Sequence, residues 1–234
     1  MNIAIIVQAR LGSSRLPRKV LADVCGQPLI RLMMTRLQDC MEASELIVAT
    51  VPKDAAEIGE ALHDLAGVSV VAPDVDENNV FDRFRGVIYR HGGERMPKAI
   101  VRLCADSPLI DPEHVDNAIE RFRNCGKAIL TTALQPTFPS GQHVEIIRTA
   151  GWNRAGGPAN SITDEEREHV MPYWYRVCDP SVIEHYTAPA GENWSHVRTV
   201  VDTQDDLDKL RMVVKGMKRD HWTYDWRDIA EMYA

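Results

Sequence analysis

Five short apolar runs, at residues 2–7, 45–51, 67–72, 98–103 and 127–132, punctuate the first 130 residues, and amphipathic stripes lie between them. Leu29, Leu32, Met33, Arg36 and Leu37 mark one helical face. Val80, Phe81, Phe84, Val87 and Ile88 mark a second, and Val115, Ala118, Ile119 and Phe122 a third, each at i, i+3, i+4 spacing. Short runs that can be buried on both sides, alternating with helices, predict an α/β fold with a mostly parallel sheet flanked by helices, Rossmann-like in plan. A length of 234 residues with 44% hydrophobic content suits a single domain spanning 1–234.

The alternation breaks after Thr132. Residues 135–141 carry two prolines and a glycine, and 151–161 add four more turn formers around Trp152, so 133–196 reads as an insertion containing a hairpin and at least one helix. Pattern then returns, with a strand over Val197–Val201 and a helix over Thr203–Met217. The closing stretch from His221 to Tyr233 reads as a docking helix.

The first apolar run, Ile3 to Val7, opens into Gln8-Ala9-Arg10-Leu11-Gly12-Ser13-Ser14-Arg15-Leu16-Pro17-Arg18-Lys19. Between residues 8 and 36 stand five Arg and one Lys against the single acid Asp23, in a chain of formal net charge −7. A solvated turn is the plain reading of a basic loop. Here Arg10, Arg15 and Lys19 fall just past a strand end, the edge where open α/β sheets bind ligands. Together with Ser13, Ser14 and the loop amides they can surround a polyanion such as a triphosphate. Neither G-x-x-x-x-G-K-[ST] nor a G-x-G-x-x-G after the strand is present, so the loop is of another design.

Two acids have matching positions. Asp106 follows the apolar run Ala99–Leu103 and precedes Ser107-Pro108; Asp202 follows Val200-Val201 and precedes Thr203. Either one alone reads as a helix N-cap. As a pair on one sheet edge, facing a phosphate loop, they suit Mg²⁺, which takes few protein oxygens and completes its shell with phosphate and water.

Gln8 to Lys19, Gly26-Gln27-Pro28-Leu29, Asp106-Ser107-Pro108-Leu109-Ile110 and Val201-Asp202-Thr203 resemble, in order, the cytidylyltransferases that make CMP-activated acidic sugars, in the branch related to spore coat polysaccharide biosynthesis protein F. The resemblance implies a nucleotide-diphospho-sugar transferase type of fold with a small insertion arm. It implies CTP and an acidic sugar as substrates, pyrophosphate release, Mg²⁺ on Asp106 and Asp202, and a role in surface polysaccharide synthesis. Nucleotide contacts would come from Gln8, Ala9, Arg10, Gly12, Ser13, Ser14, Arg15, Lys19 and Arg83, with Arg15, Lys19, Asp106 and Asp202 essential to the reaction. Glu145, Glu168 and His169 would meet the acceptor. The resemblance also implies a homodimer joined through 133–196, an expectation strengthened by Trp152, Tyr173 and Trp174, which so small a domain would be hard pressed to bury, with Phe138 and Trp174 expected near the subunit boundary. Two departures stand out: Arg18 occupies a position often held by Gly, and His143 one that commonly carries an acid.

No basic stripe continues past the loop, which argues against nonspecific nucleic-acid binding. No apolar run approaches a membrane span and Met1 leads directly into a strand, so a cytoplasmic location is expected. Five cysteines without C-x-x-C spacing indicate neither a disulfide framework nor a zinc site. Two other functions compete: a metal-dependent glycosyltransferase using Asp74-Val75-Asp76, and a catalytically silent nucleotide-binding protein.

Overall fold

The computed structural model describes residues 1–90, 92–93, 96–156 and 161–234. Strands β1 (Ile3–Gln8), β4 (Glu45–Ala49), β5 (Val68–Val71) and β6 (Ala99–Cys104) form the parallel part of a seven-stranded sheet. β2 (Asp23–Val24) and β3 (Gln27–Pro28) make a separate small hairpin, whose Cys25 and Gly26 both have positive φ, as a tight two-residue turn requires. β7 (Ile129–Thr131), β8 (Glu145–Arg148) and β9 (Ile183–His185) complete the sheet in the order β5-β4-β1-β6-β8-β7-β9, with β8 antiparallel to both its neighbours.

Because side chains alternate across a strand, β1 feeds two cores. Ile3, Ile5 and Val7 pack with α1 (Leu29–Leu37), α2 (Pro52–Leu62) and α4 (Pro112–Cys125) on one face. Ala4 and Ile6 pack with α3 (Val80–Tyr89), α6 (Met171–Val177) and Trp152 on the other. α5 (Asp164–His169) leads into α6, while α7 (Gln204–Gly216) and α8 (Trp226–Tyr233) close over the hairpin and α1. The expected helical faces at 29–37, 80–88 and 115–122 are the buried faces of α1, α3 and α4.

Two expectations change. Val197–Val201 is not a strand: it is an extended segment with one isolated bridge, Ser140 to Arg198. Trp152, Tyr173, Trp174 and Phe138 are all buried within a single chain, the first three packed around Phe81. The exposed aromatic surface invoked for a dimer is therefore not there. Residues 133–196 contribute β8 and β9 to the central sheet and lay α5 and α6 over one face. Of the turn formers read at 151–161, residues 157–160 lie outside the described residues. Among the described residues no helix is long and apolar enough to cross a membrane.

Candidate active site

Chain order reverses at β1, with β4 on one side and β6 on the other, so a crevice opens at the carboxyl ends of β1 and β6. A cleft of about 320 Å³ lies there. Gln8, Ala9, Arg10, Ser13, Ser14, Arg15, Lys19, Arg83, Asp106, Glu168, His169 and Asp202 all line it, so the structure brings together most of the residues singled out from sequence.

The loop after β1 is fixed by backbone bonds that leave its side chains free to point inward. Ala9 N–H donates to the Ala49 carbonyl at 3.0 Å, Leu11 N–H to the buried Asp54 carboxylate at 2.8 Å, and Arg18 N–H to the Leu11 carbonyl at 2.9 Å. Arg18 turns the chain at φ 61, a left-handed conformation that costs a side chain but not glycine, which accounts for the glycine common at this position. The Arg18 side chain pairs with Glu57 and does not line the cleft. Gly12 does not line it either; a Cβ there would collide with the Glu77 carboxylate.

Lys19 is the centre of the charge arrangement. Its Nζ donates to Asp202 Oδ1 at 2.9 Å, to the Val201 carbonyl at 2.8 Å and to Asp106 Oδ2 at 3.5 Å, one acceptor for each of its three protons. Arg15 adds an ion pair to Asp202 at 3.0 Å and Arg198 another at 2.6 Å. Burial works against ionisation of Asp202, but the bonds from Lys19 and Arg198 and the nearby charges outweigh it, holding the carboxyl below its usual range. Neither acid is a helix cap. Thr203 caps α7 in a reciprocal box with Asp206, and Asp111 caps α4, so the carboxylates of Asp202 and Asp106 remain turned to the cleft.

At the far side, Arg10 donates to Asn78 Oδ1 at 2.7 Å and to Glu168 Oε1 at 3.1 Å. Arg83, only 1% exposed, donates to the Glu77 carbonyl at 2.5 Å; burial and the neighbouring Arg10 charge lower its pKa. Glu168 and His169 are presented from the end of α5, where Val170 takes φ 65 and ψ −62. A β-branched residue in that region is strained, and such strain concentrates at functional sites.

Glu145 stands apart from the cleft. Its Oε2 accepts from Arg102 Nη1 at 2.5 Å and its Oε1 from the Tyr175 hydroxyl at 2.7 Å, so both oxygens are engaged by the protein. His143 does not line the cleft and is half-buried, with its pKa lowered by that burial. Three contributors escape a reading of the sequence. Arg102 lines the cleft, Asp54 anchors the loop, and Arg198 braces Asp202. A lone arginine inside the apolar run Ala99–Leu103 was the available signal for the first.

Among the described residues no group of three or more His, Cys, Asp or Glu side chains could hold a metal by itself. Two carboxylates that converge on one ammonium nitrogen do fit an ion shared between protein and substrate phosphates.

A mostly parallel sheet, a cationic loop after its first strand and paired acids across the crevice define a nucleotidyltransferase. The family model for cytidylyltransferases matches residues 4–213, and the chain belongs to that family. It is 28% identical over 220 residues to spore coat polysaccharide biosynthesis protein SpsF of Bacillus subtilis, covering 90% of this chain and 85% of that one. It is 35% identical over 148 residues to a 3-deoxy-manno-octulosonate cytidylyltransferase of Chlorobium chlorochromatii, covering 59% of this chain and 53% of that protein. A cytidylyltransferase structure from Leptospira borgpetersenii superposes with a TM-score of 0.84 at 25% identity, over 99% of this chain and 93% of the other.

Proposed function

We propose that the protein transfers CMP from CTP to an acidic sugar, with release of pyrophosphate, in a Mg²⁺-dependent step toward a surface polysaccharide. The observation that carries this reading is the Lys19 ammonium between Asp106 and Asp202, at the open end of the loop that bears Arg10 and Arg15. Among the described residues, five cationic side chains line the cleft against three carboxylates, in a chain of net charge −7, which favours a polyanionic substrate.

In this reading Arg10, Arg15 and Lys19 hold the triphosphate, with Ser13, Ser14 and the loop amides closing around it. The acceptor hydroxyl oxygen forms a bond to the α-phosphorus, giving its proton up to water, as the bond from that phosphorus to the bridging oxygen breaks and pyrophosphate carries away the charge. Lys19 and Arg15 neutralise that leaving charge from fixed positions. Asp106 and Asp202 would hold Mg²⁺, whose chemistry when bound is to neutralise the triphosphate and polarise the phosphorus under attack. Glu168 and His169, which line the cleft beside Arg10, are the candidates for acceptor contacts.

The glycosyltransferase alternative has no support here. Asp74 and Asp76 do not line the cleft, and Asp76 Oδ1 is occupied by the backbone N–H of Asn78 at 2.8 Å. A homodimer belongs to the proposal by resemblance alone, since the aromatic residues of 133–196 are buried; light scattering tests it, and a monomer at all working concentrations would remove it. For the activity, incubation with each nucleoside triphosphate, Mg²⁺ and a panel of sugar acids should release pyrophosphate with CTP. Release from no nucleotide, or transfer of sugar from a nucleotide sugar, would overturn the proposal.

A further inference from the structure

Among the described residues, Arg102 is the one cation of the cleft that comes from the body of a central strand. On β6 it lies on the same sheet face as Cys104, and its register partner is Glu145 on β8. Burying an arginine at mid-sheet is costly unless its charge is matched and its donors are used. The match is supplied by Glu145, which is itself held by Tyr175, whose hydroxyl stands 2.8 Å from Thr131 Oγ1. The donors are not all used. Nη1 donates to Glu145, and among the described residues that is the only hydrogen bond the guanidinium makes; Nε is buried with no acceptor.

The position in the cleft narrows what could complete it. Lys19, Arg15, Asp106 and Asp202 gather at the loop and the segment before α7, while Arg102 is braced by β8 and α6, elements of the 133–196 region. A guanidinium whose Nη1 is neutralised by Glu145, on a side chain that lines the cleft, is suited to meet a single carboxylate through a charge-assisted hydrogen bond.

Resting on the proposed transfer to an acidic sugar, we infer that Arg102 is the specificity residue for the acceptor, binding its carboxylate, and that Glu145 is a positioning residue that holds the guanidinium in place. Glu145 then reaches the acceptor only through Arg102.

The test compares acid and neutral acceptors. With CTP held saturating, the wild type is assayed for pyrophosphate release on a panel of sugar acids that includes 3-deoxy-manno-octulosonate, and on the carboxamide of whichever acid it turns over best. The acid should be preferred over its carboxamide by about tenfold or more in kcat/KM, the scale of one charge-assisted contact. In Arg102→Gln that preference should collapse through a higher KM for the acid, with the KM for CTP unchanged, and Arg102→Lys should recover part of it. The ratio of acid to amide is taken within one protein, so partial loss of folded enzyme does not move it. A wild type that uses both equally, a variant that keeps the preference, or a rise in the KM for CTP instead would overturn the inference while leaving the transferase reading intact. Absence of turnover on every acid by the wild type would overturn both.

Discussion

The backbone N–H of Val201 donates to the carbonyl of Asp106 at 2.8 Å, and this bond ties two acids from distant parts of the chain to one edge of the cleft. Val201 also offers its own carbonyl to Lys19 at 2.8 Å. The backbone of Val201 thus locks the acid and its counter-ion together, without any strand at 197–201.

Lys19 satisfies three acceptors at once, so its loss should be felt in both folding and chemistry. Lys19→Ala is expected to weaken CTP binding by about 1.5–3 kcal/mol, roughly ten- to a hundredfold. Arg15, whose side chain is 65% exposed, should show a comparable loss of CTP binding with little loss of stability. Calorimetric titration of CTP and thermal melts of both variants separate the two effects. Unchanged CTP affinity in both would take the loop out of the site.

Arg18 pays a conformational cost with no return in the cleft. Arg18→Gly should leave turnover unchanged and raise stability by up to about 1 kcal/mol, because relief of the left-handed backbone outweighs glycine's extra unfolded entropy and an exposed ion pair is worth little. Denaturant midpoints of the two proteins measure this. A large loss of activity would mean that Arg18 reaches the substrate after all.

How much was legible in the sequence follows from how local each signal is. The cationic loop and the two acids could be read because each sits directly after an apolar run. The hydrogen bonds that fix the loop could not, since Asp54 reaches Leu11 from another helix. The segment 197–201 carried valines at both ends because Val197 and Val201 pack into the cluster under α7, a demand that mimics a strand. Arg102 was hidden by its apolar neighbours. Trp152, Tyr173 and Trp174 misled because Phe81 and Phe84, against which they pack, lie far away in sequence.

The second core should be sensitive to truncation. Trp152 is fully buried, 4.8 Å from the Phe81 ring and 5.2 Å from Trp174. Trp152→Ala is expected to cost about 3–5 kcal/mol, from lost burial and the cavity left behind. Unfolding in urea gives the value, and a cost below about 1 kcal/mol would show that this face is not a packed core.

Acid should destabilise the fold in part through His114. Burial lowers its pKa from 6.5 to about 4, and its Nε2 is 3.1 Å from the Gln142 carbonyl. Above pH 6.5 neither state is protonated there and the group contributes nothing. Between 6.5 and about 4 the unfolded chain takes up a proton that the folded one refuses, so stability falls as pH falls. At about 1.4 kcal/mol per unit of difference the loss is on the order of 2–3 kcal/mol. His114→Asn should flatten the slope of stability against pH in this window, whatever its effect at pH 7; an unchanged slope would contradict the assignment.

The most direct test of the account is pyrophosphate release from CTP and a sugar acid by Asp106→Asn and Asp202→Asn across a magnesium titration, with CTP binding measured in parallel. Both variants should bind CTP and release almost no pyrophosphate at any magnesium concentration. Wild-type release from either variant would contradict the account, because the acid concerned would then serve only to hold Lys19 in place.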